Sequence, residues 1–334
     1  MPKIKLITDS TVDLTKELIK ELDLEVIPLV VSFEGDDTTY YDGVNIHQKD
    51  IVERVKKNGK LPSTSCIGPG KYEEVFNEYI DKEYEIIFCG IGSKLSSAYQ
   101  SVLLAKDSCK NPELVTIIDS NNLSSATGLV LLKIRDFINK GLTRSEIEEK
   151  VNTEITPNIH ASFCIDTPDY MVKGGRCSAM TGFIAKIFSI KPIIVVSEGK
   201  LLVGKKPIGN INVAIKTIYQ DMMKEIKDCD LDYLMVTHFL SDPAAKYIIP
   251  IIEETTGFKH IYNTPAGSVI GSHCGPGTIG LLYMVKPKEA KGKKKWSLEW
   301  YLLVAARIKS IQKWFLECLL RIAFLLHKIR TRQI

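Results

Sequence analysis

Along the first half of the chain, short runs rich in β-branched residues alternate with longer stretches whose apolar positions recur every three or four residues. Residues 4–7, 26–31, 85–89 and 115–118 read as strands, and residues 15–22, 46–57, 71–80, 97–109 and 123–138 as helices. Such alternation predicts a parallel sheet with helices on its faces. Lys140-Gly141 ends the last of these helices and a Thr-Glu-Ile-Thr-Pro stretch at 153–157 reads as a connector, so a first α/β domain is expected at 1–158. Beyond it, strand patterns at 161–165, 193–196, 234–237 and 260–262 alternate with helices at 211–226 and 244–254. A second α/β domain is therefore expected at 159–287.

Residues 288–334 follow a different pattern. On a helical wheel, Glu299, Ser310, Lys313, Glu317, Arg321 and Lys328 share one side, while Val304, Ile308, Ile311, Phe315, Leu319, Ile322 and Leu326 share the other. The segment reads as a basic amphipathic helical extension. Arg307, Lys309, Lys313, Glu317 and Arg321 interrupt its apolar runs well short of the roughly 20 residues a membrane span needs. Basic charge with Trp, Phe and Leu on the apolar side suits the surface of an anionic membrane over 296–330, and packing on a protein surface is the competing reading.

Composition changes the picture in one respect. The 334 residues are 45% apolar and 25% charged, which suits a globular protein and excludes disordered, collagenous and disulfide-miniprotein classes. The net charge of +4 hides a split: residues 288–334 hold 12 basic and 3 acidic residues, and residues 1–287 hold 32 basic and 37 acidic. A mildly acidic body is a poor ligand for nucleic acid, and Lys293 to Lys295 alone are a weak signal for one. The eight cysteines form no CxxC pair, so neither a structural zinc nor a disulfide framework is expected, and a reduced, cytoplasmic setting fits best.

Hydroxyl-bearing residues crowd the segments that follow the strands. Thr8-Asp9-Ser10-Thr11, Ser93-Lys94-Leu95-Ser96-Ser97 and Asp119-Ser120-Asn121-Asn122-Leu123-Ser124-Ser125 each open a helix, and Ser63-Thr64-Ser65-Cys66 precedes another. Such residues are preferred helix caps. Several on one sheet edge also form a receiver for the oxygens of a carboxylate or other oxyanion. Gly90-Ile91-Gly92 lacks the third glycine of a dinucleotide fingerprint, and neither a phosphate loop nor a G-x-S-x-G elbow occurs. The histidines show no metal-ligand spacing. In the second half, Gly174-Gly175 before Arg176, and Gly271 and Gly275 on either side of His273, are expected to expose those two side chains. His273-Cys274 thiol chemistry is disfavoured, because neighbours in a strand point to opposite faces.

Thr8-Asp9-Ser10, Pro28-Leu29, Thr64-Ser65, Ser93-Lys94-Leu95-Ser96, Asp119-Ser120, Gly174-Gly175-Arg176, Ile190-Lys191-Pro192 and Gly271-x-His273-x-Gly275-Pro276-Gly277 appear in the order and spacing of DegV family proteins, which the chain resembles from residue 4 to about 286. The resemblance implies two α/β domains with a ligand site at their junction. It implies a long-chain fatty acid as cargo, its acyl chain in an apolar tunnel, and no cofactor, metal or catalytic residue. Carried over, it gives carboxylate contacts at Thr64, Ser93 and His273, further ligand contacts at Ser65, Ser96 and Ser97, and a docking role for Arg176. The partner implied is the separate ATP-binding subunit of fatty acid kinase, which makes acyl phosphate for phospholipid synthesis. The alternative function is an enzyme acting on a small carboxylate or phosphate, with Ser93 and His273 catalytic. Two departures from the family pattern stand out. Ser97-Ala98 replaces a Gly-Thr pair, and Lys205-Lys206-Pro207-Ile208-Gly209 lacks a frequent arginine.

Overall fold

The computed structural model describes residues 3–177 and 189–287, which contain thirteen strands and ten α-helices. The amphipathic extension expected at 288–334 lies outside the described residues. In chain order, the strands are β1 (Lys3–Asp9), β2 (Leu24–Ile27), β3 (Val30–Ser32), β4 (Tyr40–Tyr41), β5 (Ser63–Ser65), β6 (Tyr84–Gly90), β7 (Val115–Asp119), β8 (Ile159–Cys164), β9 (Ile193–Ser197), β10 (Lys200–Val203), β11 (Cys229–Phe239), β12 (His260–Pro265) and β13 (Thr278–Val285). The helices are α1 (Lys16–Glu21), α2 (Gln48–Asn58), α3 (Pro69–Asp81), α4 (Ala98–Ser108), α5 (Ser125–Asn139), α6 (Arg144–Lys150), α7 (Pro168–Gly174), α8 (Ile211–Lys224), α9 (Asp242–Thr255) and α10 (Ser268–Cys274).

The first sheet runs β2-β1-β6-β7 with every pair parallel, as the alternation predicts. The strand expected at 26–31 divides in two. Pro28 has no amide hydrogen to continue a ladder, so the chain leaves the parallel sheet at Ile27, and Val30–Ser32 becomes the centre of a small antiparallel sheet ordered β4-β3-β5. That small sheet sets Thr64 opposite Val31.

The second sheet, β10-β9-β8-β13-β11-β12, is mixed, with β11 and β12 its parallel pair. Strand β13 was not expected. Its eight residues are all buried, so it lacks the alternation that marks a half-exposed strand.

Helix α5 packs against both sheets. It contacts β6 of the first and β8, β11 and β13 of the second. Residues Ser125 to Ile134 of this helix are buried on every side. Helices α3 and α4 cover the first sheet's opposite face, where Phe76, Phe88 and Val102 pack together, and α8 and α9 cover the second's through Ile215, Ile218 and Ile248. Two of the buried polar side chains of α5 find partners: Thr127 Oγ1 donates to Ser120 Oγ at 3.2 Å, and Lys133 Nζ donates to Asp230 and Asp232 at 2.7 Å each. The boundary expected near residue 158 falls just before β8, and the chain up to Pro287 forms one compact unit.

Candidate functional site

Most of the hydroxyl clusters are not caps. Helix α3 begins at Pro69 with Gly68 as its cap, so Thr64 and Ser65 lie on β5 and not at a helix end. Ser97 and Ser124 stand at the cap positions of α4 and α5 without making a side-chain cap bond, although Ser96 Oγ accepts the Ala98 N–H at 3.2 Å. Asp9 does cap, accepting the Thr11 N–H at 2.9 Å while its other oxygen accepts the Ile91 N–H at 2.8 Å. Gly90 permits this approach, because a Cβ there would lie 2.3 Å from Asp9 Oδ2. The glycine turn after β6 thus serves a carboxylate inside the protein.

Near this loop, a cavity of about 760 Å³, counting its open mouth, is lined by Thr64, Ser65, Ser96, Ser97, Arg176 and His273, with Leu29, Ile91, Leu95, Leu123, Met171, Leu201, Val269 and Ile270 among the apolar wall residues. A second, more apolar cavity shares Leu123, Ile270 and Cys274 with it and extends along Phe163, Phe239 and Leu282. A few polar groups on an apolar wall are the usual make-up of a small-molecule site.

At the polar end, Thr64 Oγ1 and His273 Nε2 are hydrogen-bonded at 2.8 Å. His273 sits in the last turn of α10, a helix where strand geometry was expected. Its Nδ1 is buried without a hydrogen-bond partner and faces Gly174, where an added Cβ would come within 2.7 Å. Burial, and after it the Arg176 guanidinium, push the imidazole down to about 4, against a smaller opposing effect of the Gly174 backbone. At neutral pH His273 is uncharged. Neighbouring Cys274 is fully buried, and burial first and Asp13 second push its thiol up to about 12. It is no nucleophile.

Arg176 is exposed, donates to the Gly174 carbonyl at 2.8 Å, and joins the cavity wall. Ser93 is not brought to this wall: it is exposed, and its backbone N–H donates to Asp119 Oδ1 at 3.1 Å. Ser93 and His273, the two residues of the enzyme reading, are thus not brought to the same wall, and the imidazole's Nε2 is bonded to Thr64 instead. The apolar wall residues and Gly174 escaped the sequence reading. Gly174 carried a signal in its Gly-Gly-Arg motif, whereas the apolar ones come from six separate segments. No group of three or more metal-ligating side chains occurs among the described residues, and no described helix is long and apolar enough to cross a membrane.

The family described as "Uncharacterised protein, DegV family" matches residues 3–286. A DegV domain-containing protein of Clostridium acetobutylicum is 31% identical over 294 residues, covering 86% of this chain and all of the relative. The crystal structure of DegV from Bacillus subtilis, described as a fatty acid binding protein, superposes with a TM-score of 0.73 at 26% identity, covering 86% of this chain and 100% of that one. A Thermus thermophilus DegV family protein, solved in a study of fatty acid binding, matches the fold with a TM-score of 0.77 at 23% identity over 85% of this chain and 99% of its own. The chain belongs to the DegV family.

Proposed function

We propose that this protein binds one long-chain fatty acid, with the carboxylate at the Thr64–His273 pair and the acyl chain running from the first cavity into the second. The observation that carries this reading is a neutral histidine bonded to a hydroxyl at the polar end of an otherwise apolar cavity. With the imidazole proton on Nε2, the ring donates to Thr64 Oγ1, and the hydroxyl proton is then free to point at a carboxylate oxygen. Ser65, Ser96 and Ser97 add neutral donors on the same wall. The fatty acid binding described for the Bacillus subtilis relative supports the same cargo. Affinity comes from the tail, at about 0.8 kcal/mol per buried CH₂.

Neutral donors orient a carboxylate without cancelling its charge. The oxygen therefore stays nucleophilic toward the γ-phosphorus of ATP held by a separate kinase subunit, with ADP leaving and acyl phosphate formed. Arg176, exposed at the mouth, is the residue assigned to docking that subunit. Under this reading the protein is a carrier and the catalysis belongs to its partner. The basic segment 296–330 is assigned to the surface of an anionic membrane.

Lipid extraction and mass spectrometry of protein purified from bacteria test the cargo. A stoichiometric long-chain fatty acid is expected, and a well-folded preparation with an empty cavity that takes up no added fatty acid would refute the reading. Arg176→Ala should retain cargo and lose acyl-phosphate formation with added kinase and ATP.

A further inference from the structure

We infer that Asp13 and Asp42 act as a paired clamp on the start of α10 that sets the position of His273, and through it the head-group site. The inference rests on the fatty-acid reading above. Neither aspartate is part of the cavity wall. Asp13 Oδ1 accepts the Gly267 N–H at 2.6 Å, and Asp42 Oδ1 accepts the next one, that of Ser268, at 2.7 Å. The remaining oxygen of each is also held, Asp13 by the Ser124 hydroxyl and Asp42 by Ser10 Oγ at 3.0 Å. Both side chains come from the first half of the chain and are buried, at 4% exposure each.

The two carboxylates close on one backbone point. A Cβ placed on Gly267 would lie 3.0 Å from both oxygens of Asp42 and 3.2 Å from Asp13 Oδ1, so only glycine fits without displacing the pair. Gln48 Nε2 donates to the Ala266 carbonyl at 2.6 Å and Ser268 Oγ to the Ile46 carbonyl at 3.2 Å, which fixes the same turn from two further sides. From Ser268, directly after Gly267, to His273 the chain is one continuous helix, a rod rising about 1.5 Å per residue, so any shift of its start moves the imidazole with it. At the far end the rod is held to β5 by the 2.8 Å bond between His273 and Thr64.

Backbone strain marks the same place. Asp13 has φ +51° and Ser124, its hydroxyl partner, φ +57°; neither is a glycine. A pair of residues held in the left-handed region and bonded to each other persists only where the surroundings over-determine it, and such outliers concentrate at functional sites. Two buried carboxyl groups sharing one turn with only neutral donors are an expensive way merely to hold a helix. A precise placement of the imidazole accounts for them.

The test uses the full-length chain carrying Gly267→Ala, with Asp42→Asn as a second variant in case the first does not fold. Two readouts are taken: the affinity for a long-chain fatty acid against the fatty alcohol of the same tail, and the ¹⁵N shift of His273, assigned with His273→Gln. In Gly267→Ala the acid should bind about tenfold more weakly while the alcohol stays within about twofold, the size expected for one misplaced polar contact. The His273 resonance should move in the same variant. Asp42→Asn, which keeps an acceptor for the Ser268 N–H, should fall between it and the wild type. Equal changes for acid and alcohol, or an unmoved His273 resonance, would overturn the clamp. If the wild type binds neither ligand, the fatty-acid reading fails, and the His273 shift still reports on the clamp.

Discussion

His273 ties protonation to the site. Its folded-state pKa of about 4 lies below the ordinary 6.5, so the fold holds the ring neutral, and the associated stability is fully present above pH 6.5 and lost as pH falls toward 4. The gap corresponds to about 3 kcal/mol when fully expressed. His273→Gln should remove it: denaturant titrations across that window should show the wild type losing stability relative to the variant as pH falls. Burial pushes Asp9, Asp13 and Asp42 up, and their effect has the opposite sign, since stability from a raised carboxyl is lost as pH rises through its folded pKa. They are common to both proteins, so the difference isolates the histidine. Gly174→Ala probes the same ring from the other side. A Cβ 2.7 Å from Nδ1 should displace the imidazole and weaken fatty-acid binding about tenfold, read by competition titration.

Among the elements, α5 carries the largest structural load. Its buried Lys133 meets Asp230 and Asp232 on β11, with its side chain 10% exposed and theirs 21% and 37%. Lys133→Ala would leave two carboxylates facing an apolar helix. A loss of about 2 kcal/mol in urea unfolding is expected, less than for a fully buried pair because Asp232 keeps contact with water. Lys259 Nζ also bonds Asp232 at 2.7 Å and supports it in the variant. Helix α10 shows the opposite economy. It is seven residues long, held at its start by Asp13 and Asp42 and at its end by Thr64, so its position depends on those contacts more than on its own propensity.

For the molecule as a whole, the charge split separates two parts. The DegV match ends at residue 286, and the compact unit ends at Pro287. A chain stopped at Pro287 should therefore keep its melting temperature and its cargo. Flotation with anionic liposomes should recover the full-length protein and leave the shortened one behind, and identical behaviour of the two would refute a membrane role for 296–330. Bound fatty acid should also raise the melting temperature in a concentration-dependent way, as ligand linkage requires.

The sequence by itself determined the α/β class, the parallel first sheet, and the hydroxyls, Arg176 and His273 as site candidates. Each has a local signature: apolar periodicity for the elements, and motifs of a few adjacent residues for the candidates. It also treated His273-Cys274 of α10 as strand neighbours, joined β2 to β3 across Pro28, whose missing amide hydrogen ends the ladder, and missed β13, because a fully buried run loses the polar alternation that identifies its period. Only the tertiary structure decided that Thr64, and not Ser93, meets the imidazole, and that two aspartates 29 positions apart converge on Gly267. Those facts depend on how β5, the loop after β4 and α10 pack together. Contacts between segments more than 200 residues apart are set by close packing in three dimensions, and no pattern along the chain encodes their distances.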